Sequence, residues 1–294
     1  MRRVLVTGAN KGIGLAIAEA ILREHADTFV YLGSRDPERG RAAAATLARA
    51  DATWRARVEV VELDVSDDRS VAAAEARIAA SRGEDGLYGV VNNAGIGSGA
   101  GADLATVFEV NTLGVRRVCE TFLRSIDPRE GRIVNVTSAS GPSFVATCSA
   151  ERRRFFLDDR MTWDTLRAFI DECVAIDGDE AAFAARGLGD GSAYGLSKAC
   201  ANTYTMLFAR EHPNLRVNAC TPGFIATDMT RHYAESEGKS PAELGMKPPS
   251  EGARAPMFLL FGSPEGNGRF YGSDAKRSPL DRYRAPGSPP YTGA

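Results

Sequence analysis

Along the first 140 residues, short unbroken runs of Val, Ile and Leu alternate with longer stretches whose apolar residues return every three or four positions. RRVLVT, TFVYLGS, RVEVVELDV, GLYGVVNNA and GRIVNVTS are the unbroken runs. Such runs mark strands buried on both faces. GIGLAIAEAILRE, PERGRAAAATLARA and DDRSVAAAEARIAA carry the helical spacing between them, and Pro37 suits a first helical turn. DLATVFEVNTLGVRRVCETFLRSI reads as one long helix. After Ser192 the rhythm resumes with a helix to about Glu211, the strand LRVNAC, a long loop, the helix EGARAPMFLLFG and the strand GRFYGS. Strands and helices in strict alternation predict an α/β fold, a doubly wound parallel sheet covered on both faces. One domain is expected over residues 1–274.

Two segments depart from the rhythm. Residues 141–191 separate the strand GRIVNVTS from the next helix, and within them Leu166, Phe169, Ile170, Cys173 and Val174 follow the spacing of an amphipathic helix. Residues 275–294, rich in Pro, Gly and charge, read as a mobile tail.

Composition narrows the function classes. A net charge of -2 offers no electrostatic footprint for nucleic acid or an anionic membrane. The basic MRR start runs into a glycine-broken segment, so neither a leader nor a membrane span is expected. Five scattered cysteines without a CxxC pair suggest reduced thiols and a cytoplasmic setting. With three histidines and no HExxH, a catalytic metal is not expected.

The chemistry concentrates in a few places. Gly8, Gly12 and Gly14 sit where the first strand turns into the first helix. Glycines there let the backbone approach a pyrophosphate, whose charge suits a helix N-terminus. A turn that binds nothing is the plain alternative. Lys11 lies inside this loop and Arg35 follows the second strand. Cations at those places suit a 2′-phosphate, whereas an acid would suit a free ribose hydroxyl. Asp36 is then a helix cap. Tyr194 precedes Lys198 by four residues, which stacks a phenol and an ammonium on one helix face. Ser138 closes an apolar strand, and Asn111 interrupts a helical stretch despite its poor propensity. Taken singly, these residues read as a surface pair, a strand-end hydroxyl and a packed amide.

Taken together they form a known pattern. TGANKGIG, LDV at 63–65, NNAG at 92–95, Asn111, Ser138, Tyr194 with Lys198, PG at 222–223 and TDM at 227–229 resemble the short-chain dehydrogenase/reductase family in order and spacing. The long interval between Ser138 and Tyr194, with SRDPERG, SAYGLSK and GRFYGSDAKR, resembles its monomeric NADPH-dependent carbonyl reductase subgroup. The resemblance implies a Rossmann fold, with residues 141–191 as a helical insert that keeps the chain monomeric. It implies NADPH as cofactor and a small-molecule carbonyl substrate (an aldehyde, ketone or quinone). In that scheme Tyr194 donates the proton, with its pKa lowered by Lys198 and by the positive nicotinamide of the oxidised cofactor, and Ser138 holds the substrate oxygen. Asn111 holds a water that relays protons to Lys198. Gly8, Asn10, Lys11, Gly12, Ile13 and Gly14 cradle the phosphates, and Arg35 reads the 2′-phosphate. Asp64 and Val65 flank the adenine, and Asn92, Ala94 and Gly95 line the path onward. Pro222, Gly223, Ile225 and Thr227 clasp the nicotinamide, whose ribose Tyr194 and Lys198 hold.

The substrate pocket is expected from Ile96 to Gly101, from Ala139 to Phe144, and from a loop over about 224–250. Ile96, Phe144, Phe224, Met229 and Tyr233 make it apolar. Two other readings remain at this point. One is an NADP-dependent alcohol dehydrogenase or reductase of a single secondary metabolite; the other is a dinucleotide-sensing protein without catalysis.

Overall fold

The unbroken apolar runs assemble into one eight-stranded sheet in the order β3-β2-β1-β4-β5-β6-β7-β8. In this computed structural model residues 1–83, 85–97, 101–189 and 191–293 are described. The amino-terminal half runs β1 (Arg2–Val6), α1 (Gly12–Glu24), β2 (Thr28–Ser34), α2 (Pro37–Ala50), β3 (Val58–Glu62), α3 (Asp68–Arg82) and β4 (Leu87–Asn92). It continues through α4 (Leu104–Phe108), α5 (Gly114–Phe122) and β5 (Arg132–Val136). Four helices follow: α6 (Ser140–Thr147), α7 (Ala150–Phe156), α8 (Trp163–Ala175) and α9 (Glu180–Ala185). The chain closes with α10 (Ala193–Glu211), β6 (Arg216–Cys220), α11 (Asp228–Ser236), α12 (Pro249–Gly252), α13 (Arg254–Phe261), β7 (Phe270–Tyr271) and β8 (Arg277–Ser278).

Strands β1 to β7 pair in parallel and β8 turns back against β7. Successive strand side chains serve opposite faces. Leu5 therefore joins the apolar layer of α3, α5 and α10, while Val4 and Val6 join that of α1, α2 and α13. All three are fully buried. The strand order reverses between β1 and β4, and this opens a crevice at their carboxyl ends. The glycine loop and NNAG both emerge there.

The insert helices are built on aromatic packing. Phe156 meets Phe144 and Phe169 edge-on, with ring centroids 6.1 and 5.6 Å apart. Trp163 of α8 sets its edge against Tyr204 of α10, and the Arg116 guanidinium lies 4.2 Å over the Trp163 ring. Leu166, Phe169, Ile170 and Cys173 are the buried face of α8. The insert thus packs against α10, and its Trp163 reaches Arg116 of α5. Among the described residues no helix is long and apolar enough to cross a membrane.

The expected long helix after residue 103 runs on with helical backbone through a π turn at Glu109–Leu113, between α4 and α5. Two expectations need correction. The helix near residue 250 divides at Ala253 into α12 and α13. The supposed mobile tail carries β8, and its Arg284 pairs with Asp274, with side chains only 7% and 11% exposed. Polar composition suggested a loose end, but these polar groups bond to one another.

Candidate active site

Helix α10 begins at a Ser192 cap, whose hydroxyl accepts from the Gly195 N–H. The first turn carries Tyr194 and the second Lys198. The Lys198 Nζ lies 5.6 Å from the Tyr194 ring centroid and 3.5 Å from the Val136 carbonyl oxygen, to which it donates. Lys198 is only 4% exposed. Burial removes water from its ammonium and lowers its pKa to about 8. Burial pushes the Tyr194 phenol up, against the opposite pull of a hydrogen bond with Ser138. Ser138 also accepts from the Ser140 N–H and donates to the Ser140 hydroxyl, at 3.1 and 3.2 Å, which fixes it at the start of α6.

Asn111 lies in the π turn and is fully buried. Single π turns often sit at functional sites. Its Oδ1 accepts from the Ile96 N–H at 2.9 Å, and its Nδ2 donates to the Ile96 carbonyl and to the Ser197 hydroxyl at 2.9 and 3.1 Å. Ser197 in turn donates to the Tyr194 carbonyl at 2.9 Å. Both amide N–H groups are committed, so the side chain acts as a tie. It binds the segment after β4 to the helix that carries Tyr194 and Lys198. Ser197 escaped the sequence reading; the available signal was a hydroxyl placed directly before Lys198.

The cofactor crevice rests on a close approach of two loops. Gly8 has φ +63°, and a side chain there would start 2.9 Å from the Ala94 Cα. The Thr7 hydroxyl accepts from the Asn93 and Ala94 N–H groups, both at 3.0 Å. Asn93 returns two bonds, from Nδ2 to the Thr7 and Gly8 carbonyls at 2.9 and 3.2 Å. Asn93 is thus a second residue missed by the sequence reading. Gly95 brings the loop beside Lys198 and Asn111: its missing Cβ would lie 3.3 Å from Nζ and 3.1 Å from Oδ1. Asn92 does not face the crevice. Its Nδ2 donates to Asn135 at 2.9 Å and to the Cys119 sulfur at 3.3 Å, inside the core.

Helix α1 starts at Gly12 with no side-chain cap and no acid in its first turn. Its leading N–H groups suit an anion. Asn10 and Ile13 flank that start and are partly buried, and Gly14 is buried in the first turn. Ile13 and Ile225 both pack on Gly252, at 3.1 and 3.2 Å from where its Cβ would stand. The segment with Pro222, Gly223, Ile225 and Thr227 is thereby tied to the start of α1. Thr227 begins α11 in a capping box with Thr230.

At the outer end of the crevice, Arg35 is 75% exposed and its Nε is 4.0 Å from Asp64 Oδ2. The other Asp64 oxygen accepts from the Ser66 N–H and hydroxyl, at 3.0 and 2.6 Å. Val65 packs against Gly114. Asp36 caps α2, as expected, by accepting from the Glu38 and Arg39 N–H groups. Arg39 is a further cation here, close enough to help hold the Asp228 carboxyl down. Lys11 donates to Asp228 at 2.7 Å, with both side chains about half exposed. Its ammonium therefore already has an acidic partner at hydrogen-bond distance, whereas Arg35 has only the longer contact with Asp64 and stays open to solvent.

Comparison with known proteins now decides the family. Residues 2–150 match the family described as short chain dehydrogenase. The chain is also 31% identical to carbonyl reductase [NADPH] 1 of Mus musculus over 276 residues, covering 90% of this chain and 92% of that protein. The chain belongs to the short-chain dehydrogenase family. Among solved structures of similar fold, salutaridine reductase from Papaver somniferum superposes with a TM-score of 0.75 at 24% identity, over 92% of this chain and 99% of that one. An NADPH-bound carbonyl reductase from chicken fatty liver gives 0.66 at 23% identity, over 95% and 98%.

In this short-chain dehydrogenase, the substrate side differs from expectation at one wall. Phe144 is 3% exposed and packs in the core against Phe156, so it does not line a pocket. Phe224, Met229 and Tyr233 are 44%, 37% and 46% exposed. Phe224 and Tyr233 face each other edge-on at 6.1 Å. Ser98, Gly99 and Ala100 of the expected wall lie outside the described residues. All five cysteines are buried thiols, none in a disulfide. Burial pushes Cys119 and Cys173 up to about 12, which makes them inert thiols at neutral pH.

The buried Lys198 has a measurable consequence. Between its folded pKa of about 8 and its ordinary 10.5 the unfolded chain holds more protons. Stability relative to Lys198→Met should therefore rise with pH across that window, by up to about 3 kcal/mol. Denaturant unfolding of the ligand-free protein at several pH values reads this directly. Parallel stability curves for the two proteins would contradict a desolvated ammonium.

Proposed function

We propose that this protein is an NADPH-dependent carbonyl reductase, converting aldehydes, ketones or quinones to alcohols. The observation that carries the proposal is Tyr194 set 5.6 Å from the buried Lys198 ammonium, with Ser138 beside the phenol, at the crevice built by the glycine loop. The Gly8–Ala94 approach, the uncapped start of α1 and the open Arg35 fit a phosphorylated dinucleotide. The related carbonyl reductases are named for NADPH, which supports the same choice.

When bound, NADPH supplies the hydride. Ser138 Oγ donates a hydrogen bond to the carbonyl oxygen and fixes its approach. Tyr194 Oη gives that oxygen its proton. Burial keeps the phenol protonated at neutral pH, which suits a proton donor in reduction better than a base in alcohol oxidation. The Lys198 ammonium holds the nicotinamide ribose hydroxyls and, when charged, favours the phenolate left after proton transfer. Asn111 and Ser197 keep Ile96, Tyr194 and Lys198 in register. Arg35 holds the 2′-phosphate, aided by Arg39 and by Lys11 when it leaves Asp228.

The exposed Phe224, Met229 and Tyr233 favour lipophilic substrates over sugars or charged acids. The insert packed on α10 supports a monomer, because it occupies a helix face otherwise open to a second copy. Five buried thiols without a disulfide support a cytoplasmic setting.

Purified protein with NADPH or NADH and a panel of quinones, aromatic aldehydes and ketones tests the activity. NADPH oxidation is expected, with loss of turnover but retained NADPH binding in Tyr194→Phe. Near-normal turnover of that variant would remove Tyr194 as the acid. Arg35→Ala should weaken NADPH roughly ten- to a hundredfold and leave NADH little changed, the range for a lost charge-assisted bond. Equal losses would place the 2′-phosphate elsewhere. Sedimentation should give the mass of one chain; a concentration-independent dimer would contradict the role given to the insert.

A further inference from the structure

The carboxyl-terminal segment contains a group of contacts that reaches the crevice. The turn after β7 is closed by the Gly272 N–H donating to the Lys276 carbonyl at 2.8 Å and the Ala275 N–H to the Gly272 carbonyl at 2.9 Å. It holds Ala275 at φ +60°, in the left-handed region that side chains disfavour. A residue persists there when its surroundings over-determine it.

Those surroundings come from residues 284–288. The Asp274 carboxylate accepts from Arg284 Nη2, from the Gly287 N–H at 3.0 Å and from the Lys276 N–H at 3.3 Å. Arg284 Nε donates to the Ser278 hydroxyl at 2.9 Å and Nη1 to the Ser288 carbonyl at 2.7 Å. Among the described residues no other ion pair has both side chains so deeply covered. Burial pushes the Asp274 carboxyl up, but the Gly287 N–H and the Arg284 guanidinium outweigh it and hold it below the usual range. A buried pair is weak evidence for stability as such, since apolar residues of like volume often serve as well. Its fork geometry, however, fixes position.

What it positions is next door. Ser273 adjoins Asp274, and its Cβ and Oγ stand 3.1 and 3.3 Å from where a side chain on Gly223 would begin. Gly223 has φ +95°, a conformation that favours glycine. The turn holding it is tied to the same strand by the Thr221 N–H donating to the Tyr271 carbonyl at 3.0 Å. Contacts thus run from Arg284 through Asp274 and Ser273 to Gly223.

We propose that Asp274 and Arg284 are positioning residues: their ion pair sets Ser273 against Gly223 and so fixes the 221–223 turn at the nicotinamide end of the crevice. The inference rests on the reading that this turn clasps the nicotinamide. Arg35 and the glycine loop hold the opposite end of the cofactor, so loosening the clasp should disturb hydride geometry more than binding. Misplacement by about 1 Å can cost on the order of a hundredfold in rate.

Arg284→Met alone leaves a buried carboxylate unpaired, so the principal test is the doubly neutral Asp274→Asn/Arg284→Met protein. Wild-type NADPH binding and turnover are read first; their absence would count against the functional reading and not against the clasp. With an active wild type, the double variant should keep its circular dichroism and melting temperature and bind NADPH within about threefold. Its kcat should fall about tenfold or more. A folded double variant with wild-type kcat would overturn the proposal. Hydrogen exchange on the wild-type protein gives a second reading that needs no variant. NADPH should slow exchange in 272–276 and 284–288 along with 221–223, and protection confined to the latter would also overturn it.

Discussion

The packing of the glycine loop against NNAG is the contact on which the site depends. Parallel strands β1 and β4 are neighbours although three strands and three helices are completed between their starts. Their carboxyl ends release two loops into one crevice, and the loops touch where Gly8 has no side chain and Ala94 fills the gap. Thr7 and Asn93 close four hydrogen bonds across this contact. Each contributes only about 1 kcal/mol net, but an unpaired buried donor would cost more. From this contact Gly95 runs on to Lys198, so the glycine loop and Lys198 share one support.

Burial sets the acid–base character of the chemical end. Tyr194 and Lys198 are shifted in opposite directions by the same loss of water: the phenol upward, the ammonium downward. Both shifts favour the neutral form. In the free protein the pair therefore holds less charge than two exposed groups would. Ser138 is the group that opposes this for Tyr194. Asn111 contributes no charge and acts by geometry, linking Ile96 to Ser197 through three hydrogen bonds.

Much of this was legible in the chain because it depends on local pattern. Helices α1 and α2 begin and end where the apolar spacing does, and Asp36 with Pro37 marks the start of α2 as cap and first-turn proline. The features that escaped are those made by distant residues or by a change of helical period. The π turn at Glu109–Leu113 adds residues to one turn without altering the apolar pattern around it. Lys11 meets Asp228 across 217 positions, and no local signal pairs them. Phe144 is apolar in either setting, and only packing against Phe156 assigns it to the core. Arg284 lies in the segment read as a mobile tail, and only the turn at Ala275 brings it to Asp274.

The central claim is that a hydride passes within this crevice to a carbonyl carbon while Tyr194 protonates the oxygen. NADPH deuterated at the transferring position of nicotinamide C4, incubated with the protein and an aromatic aldehyde or ketone, tests it most directly. Mass spectrometry of the alcohol should show deuterium on the carbinol carbon, with none exchanged to water. Alcohol formed without the label, or no alcohol from any carbonyl offered, would contradict the account.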